Sequence, residues 1–165
     1  MHHWPQIIDE FGPVVWNHAL RMLGNETDAA DCFQNVMLEA YECSQKQSIR
    51  NWPGFLKHLA TLRTLDYLRA RYRQSAEWLN LSELPDKAAS DSTDRIDQLD
   101  LAEHLRQEIS LLPEDQAEAF TLRWIHEMTN GEVAEAMQLS PNHVGVLLHR
   151  ARTTLRNRLQ QGEED

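Results

Sequence analysis

Apolar residues recur along this chain at spacings of one to four, and nowhere alternate with polar ones for long enough to build a strand. Between about Pro5 and Leu23 they are Ile7, Ile8, Phe11, Val15, Ala19 and Met22, one side of a helix that Gly24-Asn25 stops. A second helix is expected from about Thr27-Asp28, where short polar side chains can cap free amides and acids favour the positive helix end. Its apolar stripe is Ala29, Phe33, Val36, Met37, Ala40 and Tyr41, and its other face is polar and mainly acidic: Asp31, Gln34, Asn35, Glu39 and Glu42. A third helix is expected from Trp52 or Pro53 to Gln74, with Phe55, Leu56, Leu59, Leu62 and Leu68 on its apolar side. Basic residues crowd its last turns, which suits the negative helix end.

The composition then shifts. Ser82 to Asp94 is rich in Ser, Asp and small residues and lacks aromatics, as a linker does. Beyond it a helix is expected near Asp97 to Leu111, then another opened by Pro113, whose missing amide costs nothing at a first helical position. Thr129-Asn130-Gly131-Glu132 reads as a capping box, opening a short helix with Val133, Ala134 and Met137. Leu139 closes a tight turn, Ser140 caps the last helix and Pro141 begins it, with Val144, Leu148, Ala151 and Leu155 turned inward. The expectation is an all-α chain of two small helical domains. These are residues 1–76 and 96–165, joined by an acidic linker at 77–95, with a helix-turn-helix in the second domain.

The formal net charge of −10 argues against a nucleic-acid partner only when taken as one number. Ile49 to Gln74 holds six basic residues against one acid, and Pro141 to Gln160 holds four and no acid. Glu77 to Glu118 between them holds twelve acids and three bases. Screening over about 8 Å lets each positive patch act nearly alone. Cys32 and Cys43 would stand about 16 Å apart on one helix, too far to bridge. They read as reduced thiols of a cytoplasmic protein. No apolar run approaches a membrane span, and nothing at the N-terminus reads as a signal peptide. Without a His-Cys cluster at ligand spacing, a Gly-rich phosphate loop or a nucleophile elbow, no enzyme, metal site, cofactor or small-molecule substrate is expected.

In a helix-turn-helix the second helix lies in the major groove with its N-terminal residues on base edges. Opposite the buried line of that helix stand Asn142, Val146, His149, Arg150 and Thr153, with His143 on the flank. Asn142 can pair with adenine, Arg150 can reach guanine or phosphate, and Val146 can touch a thymine methyl. Arg152, Arg156 and Arg158 suit phosphate contacts, and Ser140 sits at the helix start.

The stretch LPEDQAEAFTLRWIHEMTNGEVAEAMQLSPNHVGVLLHRARTTLRNRL resembles the fourth region of bacterial RNA polymerase sigma factors of the extracytoplasmic-function type. GNETDAADCFQNVMLEAY is similar to their core-polymerase-binding helix, and NWPGFLKHLATLRTLDYLRARYR to the segment that opens and reads the minus-ten element. The three occur in the family's order around a linker. The resemblance implies a transcription initiation factor whose partners are core RNA polymerase, promoter DNA and an anti-sigma factor. It implies that Asp31, Gln34, Asn35 and Glu39 dock on the polymerase, and that the helix-turn-helix reads the minus-35 element. Arg50, Trp52, Lys57, His58 and Arg63 would hold the melted strand, because stacking with phosphate attraction grips single strands. Arg69, Arg71 and Arg73 would meet the flanking duplex. Trp52 serves equally well as a core-anchoring aromatic.

The chain departs from the family pattern at five positions: Leu62 for Asn, Asn35 for an acid, Gln138 for Gly, and Gly145 and Leu147 for Lys and Arg. Two other readings use the same residues: a sigma-like DNA-binding regulator that does not recruit polymerase, and a protein-interaction adaptor.

Overall fold

The computed structural model describes residues 3–81 and 93–163. Among them are seven helices and no strand: α1 (Trp4–Leu23), α2 (Glu26–Lys46), α3 (Trp52–Leu81), α4 (Thr93–Ser110), α5 (Glu114–Trp124), α6 (Asn130–Met137) and α7 (Pro141–Glu163). Most of the linker expected at 77–95 lies on residues 82–92, outside the described residues, while 77–81 continue α3 and 93–95 begin α4. Helix α3 thus runs past Gln74, its expected end, because no glycine or proline interrupts the chain before Pro85.

Helix ends are closed by local chemistry. Gly24 takes the left-handed conformation (φ 76°) that ends α1, and its amide donates to the Leu20 carbonyl. The cap of α2 is Asn25 rather than Thr27-Asp28, its side-chain oxygen accepting from the Asp28 amide at 2.8 Å. A carboxamide one turn earlier reaches the same free amides, so the helix starts sooner.

Helices α1, α2 and α3 pack around Ile7, Val15, Ala19, Val36, Leu56, Leu65 and Leu68, all buried. Burying each of the valine, leucine and isoleucine side chains among them contributes about 1.5–3 kcal/mol. The same core continues into the second half through Ile109, Leu112, Ala117, Ala151 and Leu155. A smaller core of Ala119, Leu122, Met128, Val133, Ala134, Val144, Leu147 and Leu148 holds α5, α6 and the start of α7 together. The two halves therefore share apolar contact, with α5 and α6 packed on α3. Arg106 of α4 adds a polar tie. Its guanidinium donates to the Arg21 carbonyl at 3.0 and 3.2 Å, satisfying a group that the end of α1 leaves open.

Candidate nucleic-acid interface

The best-defined site is built by α6, a short turn and α7. Thr129 and Glu132 form the expected capping box, the Thr129 hydroxyl accepting from the Glu132 amide and the Glu132 carboxylate from the Thr129 amide. Gln138 closes α6 in the left-handed region (φ 56°, ψ 43°). The geometry explains why glycine suits this position: a side chain there is strained by about 1–2 kcal/mol. The Ser140 hydroxyl accepts from the His143 amide at 3.2 Å, so Ser140 caps α7 and Pro141 leads it. Ala134, buried at the crossing, lets α6 and α7 approach.

On α7, Val144, Leu147, Leu148, Ala151 and Leu155 are buried, and Asn142, His143, Val146, His149, Arg150, Arg152 and Thr153 are exposed. The side of the helix opposite the buried line is therefore uncovered, with Val146 45% exposed among polar neighbours. Leu147, where the resemblance leads one to expect a basic residue, faces the small core. Gly145 faces open space, since a Cβ added there meets nothing within 4 Å. Beside this face sits Trp124, the last residue of α5, which is 45% exposed. The guanidinium groups of Arg123 and Arg152 lie 4.7 and 5.7 Å from its ring centre. Two cations on one aromatic ring concentrate positive charge beside α7. The pairing of Trp124 with Arg152 joins α5 to α7 and needed the fold.

The third helix is engaged by its neighbours along most of its basic length. Trp52 is buried, packing against Trp4 and Phe55, so the structure gives it the core-anchoring role. Arg63 binds Glu39 through two hydrogen bonds, Nε to Oε2 at 2.6 Å and Nη2 to Oε1 at 2.8 Å, and reaches Asp66 at 2.8 Å. The hydrogen bonds from Arg63 hold the Glu39 carboxyl below its ordinary range. Arg71 pairs with Asp28 at 2.8 Å, and Arg69 lies 3.6 Å from Glu114. The carboxyl of Asp28 is held low, first by Asn25 and then by Arg71. His58 Nδ1 stands 2.5 Å from Glu118 Oε1, an ion pair when the imidazole is protonated. Lys57 lines a cleft with Ile125 and His126. Lys57, His58 and Arg69 thus face the second half of the chain, Arg63 and Arg71 face α2, and Arg50 and Arg73 are exposed.

On α2, Asp31 and Gln34 are exposed, and Asn35 donates to the Tyr67 hydroxyl at 3.0 Å. Next to them runs an apolar groove of about 670 Å³ between α1 and α2, walled by Trp4, Ile8, Phe33, Met37 and Tyr41. Tyr41, expected inside, is 43% exposed, and Leu38 is 62% exposed. Tyr41 lies at the rim, meeting Trp4 edge to face with ring centres 5.2 Å apart. Leu38 breaks the polar face of α2, a departure the sequence carried openly. Burial raises the Cys32 thiol to about 12, which leaves it inert, and Cys43 is also free. Among the described residues no group of His, Cys, Asp and Glu is placed to hold a metal ion, and no helix is long and apolar enough to cross a membrane.

Comparison with known proteins follows the same division of the chain. Residues 7–74 match the family model "Sigma-70 region 2" and residues 102–155 match "Sigma-70, region 4". The chain is 27% identical over 163 residues to the ECF RNA polymerase sigma factor SigW of Bacillus subtilis (strain 168), covering 93% of this chain and 87% of that protein. The structure of CnrH, solved with the cytosolic domain of CnrY, superposes with a TM-score of 0.61 at 22% identity, covering 96% of this chain and 88% of that one. The sigma factor RpoE of Bartonella quintana, solved with the anti-sigma factor NepR, superposes at 0.55 and 17% identity, covering 94% and 96%. These two share the fold.

Proposed function

Because this chain belongs to the sigma-70 family, in its extracytoplasmic-function type, we propose how its surfaces divide the work of an initiation factor that binds core RNA polymerase and directs it to promoters. The uncovered side of α7 reads the minus-35 element: Asn142, Val146, His149 and Arg150 meet base edges, while Arg152, stacked beside Trp124, meets phosphate. That uncovered reading face is the observation that carries the proposal. The exposed part of α2, with Asp31, Gln34, Asn35 and the neighbouring Leu38, docks on the polymerase. Glu39 joins it only by releasing Arg63.

The minus-ten function falls to α3. Arg50 and Arg73 are exposed, whereas Lys57, His58 and Arg69 face the second half and Arg63 and Arg71 are ion-paired. Reading that element therefore requires the halves to part, and polymerase and DNA supply the competing contacts. The described arrangement is the resting form, and an anti-sigma partner, like the NepR bound to the Bartonella quintana relative, holds it there. The protein works in the cytoplasm beside the polymerase, which carries out the chemistry itself.

Transcription in vitro with core polymerase and a library of genomic promoters tests this reading. RNA starts at a defined set of promoters are expected only when the chain is present. A chain that binds DNA yet never starts RNA synthesis would be a regulator that does not recruit polymerase. A chain that binds neither DNA nor polymerase would be an adaptor.

A further inference from the structure

Leaving a tryptophan nearly half exposed forgoes much of the burial that its size offers, and Trp124 at the end of α5 is in that position. What the side chain touches gives it another use. Phe120, one turn earlier on α5 and packed against the larger core, lies 6.4 Å away between ring centres, so the indole has a support within its own helix. The guanidinium groups of Arg123 and Arg152 lie over the same indole, both within the roughly 6 Å reach of a cation–π contact. Arg123 is its neighbour in sequence, whereas Arg152 comes from α7. Among the described residues no ion pair involves either guanidinium.

The place of Arg152 on α7 decides what it can meet. Thr153 stands opposite the buried line of that helix, and successive residues turn by about 100°. Arg152 therefore lies about a quarter-turn from the exposed line, on the flank that Trp124 supports. A helix about 10–12 Å across fills a major groove about 12 Å wide, so groups on its flank come against the phosphate wall rather than the base edges. An arginine free in solvent samples many rotamers and gives them up when it binds phosphate. Docking the guanidinium on a supported indole takes part of that entropy loss before DNA arrives. Arg123 on the same ring adds positive charge to the potential that a phosphate meets there.

We propose that Trp124 is a positioning residue for DNA, its indole holding Arg152 in place for a backbone phosphate beside α7. The inference rests on the reading of α7 as the DNA-reading helix and adds a residue that lies outside the helix-turn-helix. Trp124 reads no base, so its contribution is the same on every duplex sequence.

Fluorescence anisotropy of the full chain with a labelled generic duplex of about 25 base pairs, repeated across salt concentrations, tests this, because backbone contacts are indifferent to sequence. Arg152→Gln should weaken binding about fivefold and lower the salt slope by about one. Trp124→Leu, which keeps apolar bulk and removes no charge, should weaken binding about threefold, and Trp124→Phe, which keeps an aromatic ring, should recover most of that loss. In the Trp124→Leu background Arg152→Gln should cost only about twofold, since the two changes remove one contact. Circular dichroism checks that each variant has folded. Equal Arg152→Gln effects in the two backgrounds, or a Trp124→Phe chain as weak as Trp124→Leu, would overturn the positioning role and leave α7 as the reading helix. A parent chain that binds no duplex would instead remove the reading of α7, and this inference with it.

Discussion

The guanidinium of Arg63 and the carboxylate of Glu39 hold each other through two parallel hydrogen bonds across the α2–α3 interface. One residue stands on the face proposed for polymerase and the other on the helix proposed for melted DNA, so engaging either partner frees the other. Both side chains are about one-third exposed (32% and 35%), which limits what the pair adds to stability. Arg63→Ala and Glu39→Ala should each cost about 0.5–1 kcal/mol, and the double variant little more than the worse single one. Urea denaturation of the four proteins measures this coupling, and simple additivity would dissolve the pair as an energetic unit.

The turn of the helix-turn-helix carries an avoidable strain. Gln138 sits at φ 56°, where only glycine is at ease. Gln138→Gly should raise stability by about 1 kcal/mol, seen as a higher denaturation midpoint. A lower midpoint would mean that the side chain makes a contact outweighing the backbone cost.

Gly24 predicts the opposite sign. It too has positive φ, and a Cβ there would lie 3.2 Å from the Arg106 guanidinium that caps α1. Gly24→Ala should cost about 1–2 kcal/mol from the backbone alone. Arg106→Gln should add less in that background than in the parent, because both changes disturb one contact.

Acid should loosen the join between the halves. The rings of His18 and His126 stack with centres 4.2 Å apart, and burial is the first cause holding both below the ordinary imidazole value of 6.5, His126 at about 4. An unfolded chain takes up these protons below about pH 6.5, while the folded His126 resists until about 4. Across that window the unfolded state binds more protons, so stability falls as pH falls. Asp28 and Glu39, whose carboxyls are lowered, give up their contribution at still lower pH, as each protonates in the folded state. Urea midpoints followed from pH 7 to pH 4 should decline, and His126→Gln should flatten the decline. An unchanged slope in that variant would assign the effect elsewhere.

On DNA, Arg150→Ala should weaken minus-35 recognition by about 1–3 kcal/mol and relax the base preference at one position. Arg152→Ala should weaken binding to all sequences alike and lower the salt dependence, as loss of a phosphate contact does. Binding measured on matched and mutated elements at several salt concentrations separates the two roles.

The chain's own order of residues was enough to set out the helices, the capping box at Thr129 and Glu132, the start of α7 at Ser140-Pro141 and its exposed side. Each arises between residues within a turn or two of one another, so periodicity and cap chemistry carry the information. The family and its order of regions were legible for the same reason. Only the packed structure decided that Trp52 lies in the core, that Leu147 faces inward, and that Trp124 is exposed beside Arg152. The same holds for the partners of Lys57, His58, Arg63 and Arg69, which come from other helices. Arg63 meets Glu39 across 24 positions and Arg106 meets Arg21 across 85, and no local pattern encodes which distant groups the helix faces bring together.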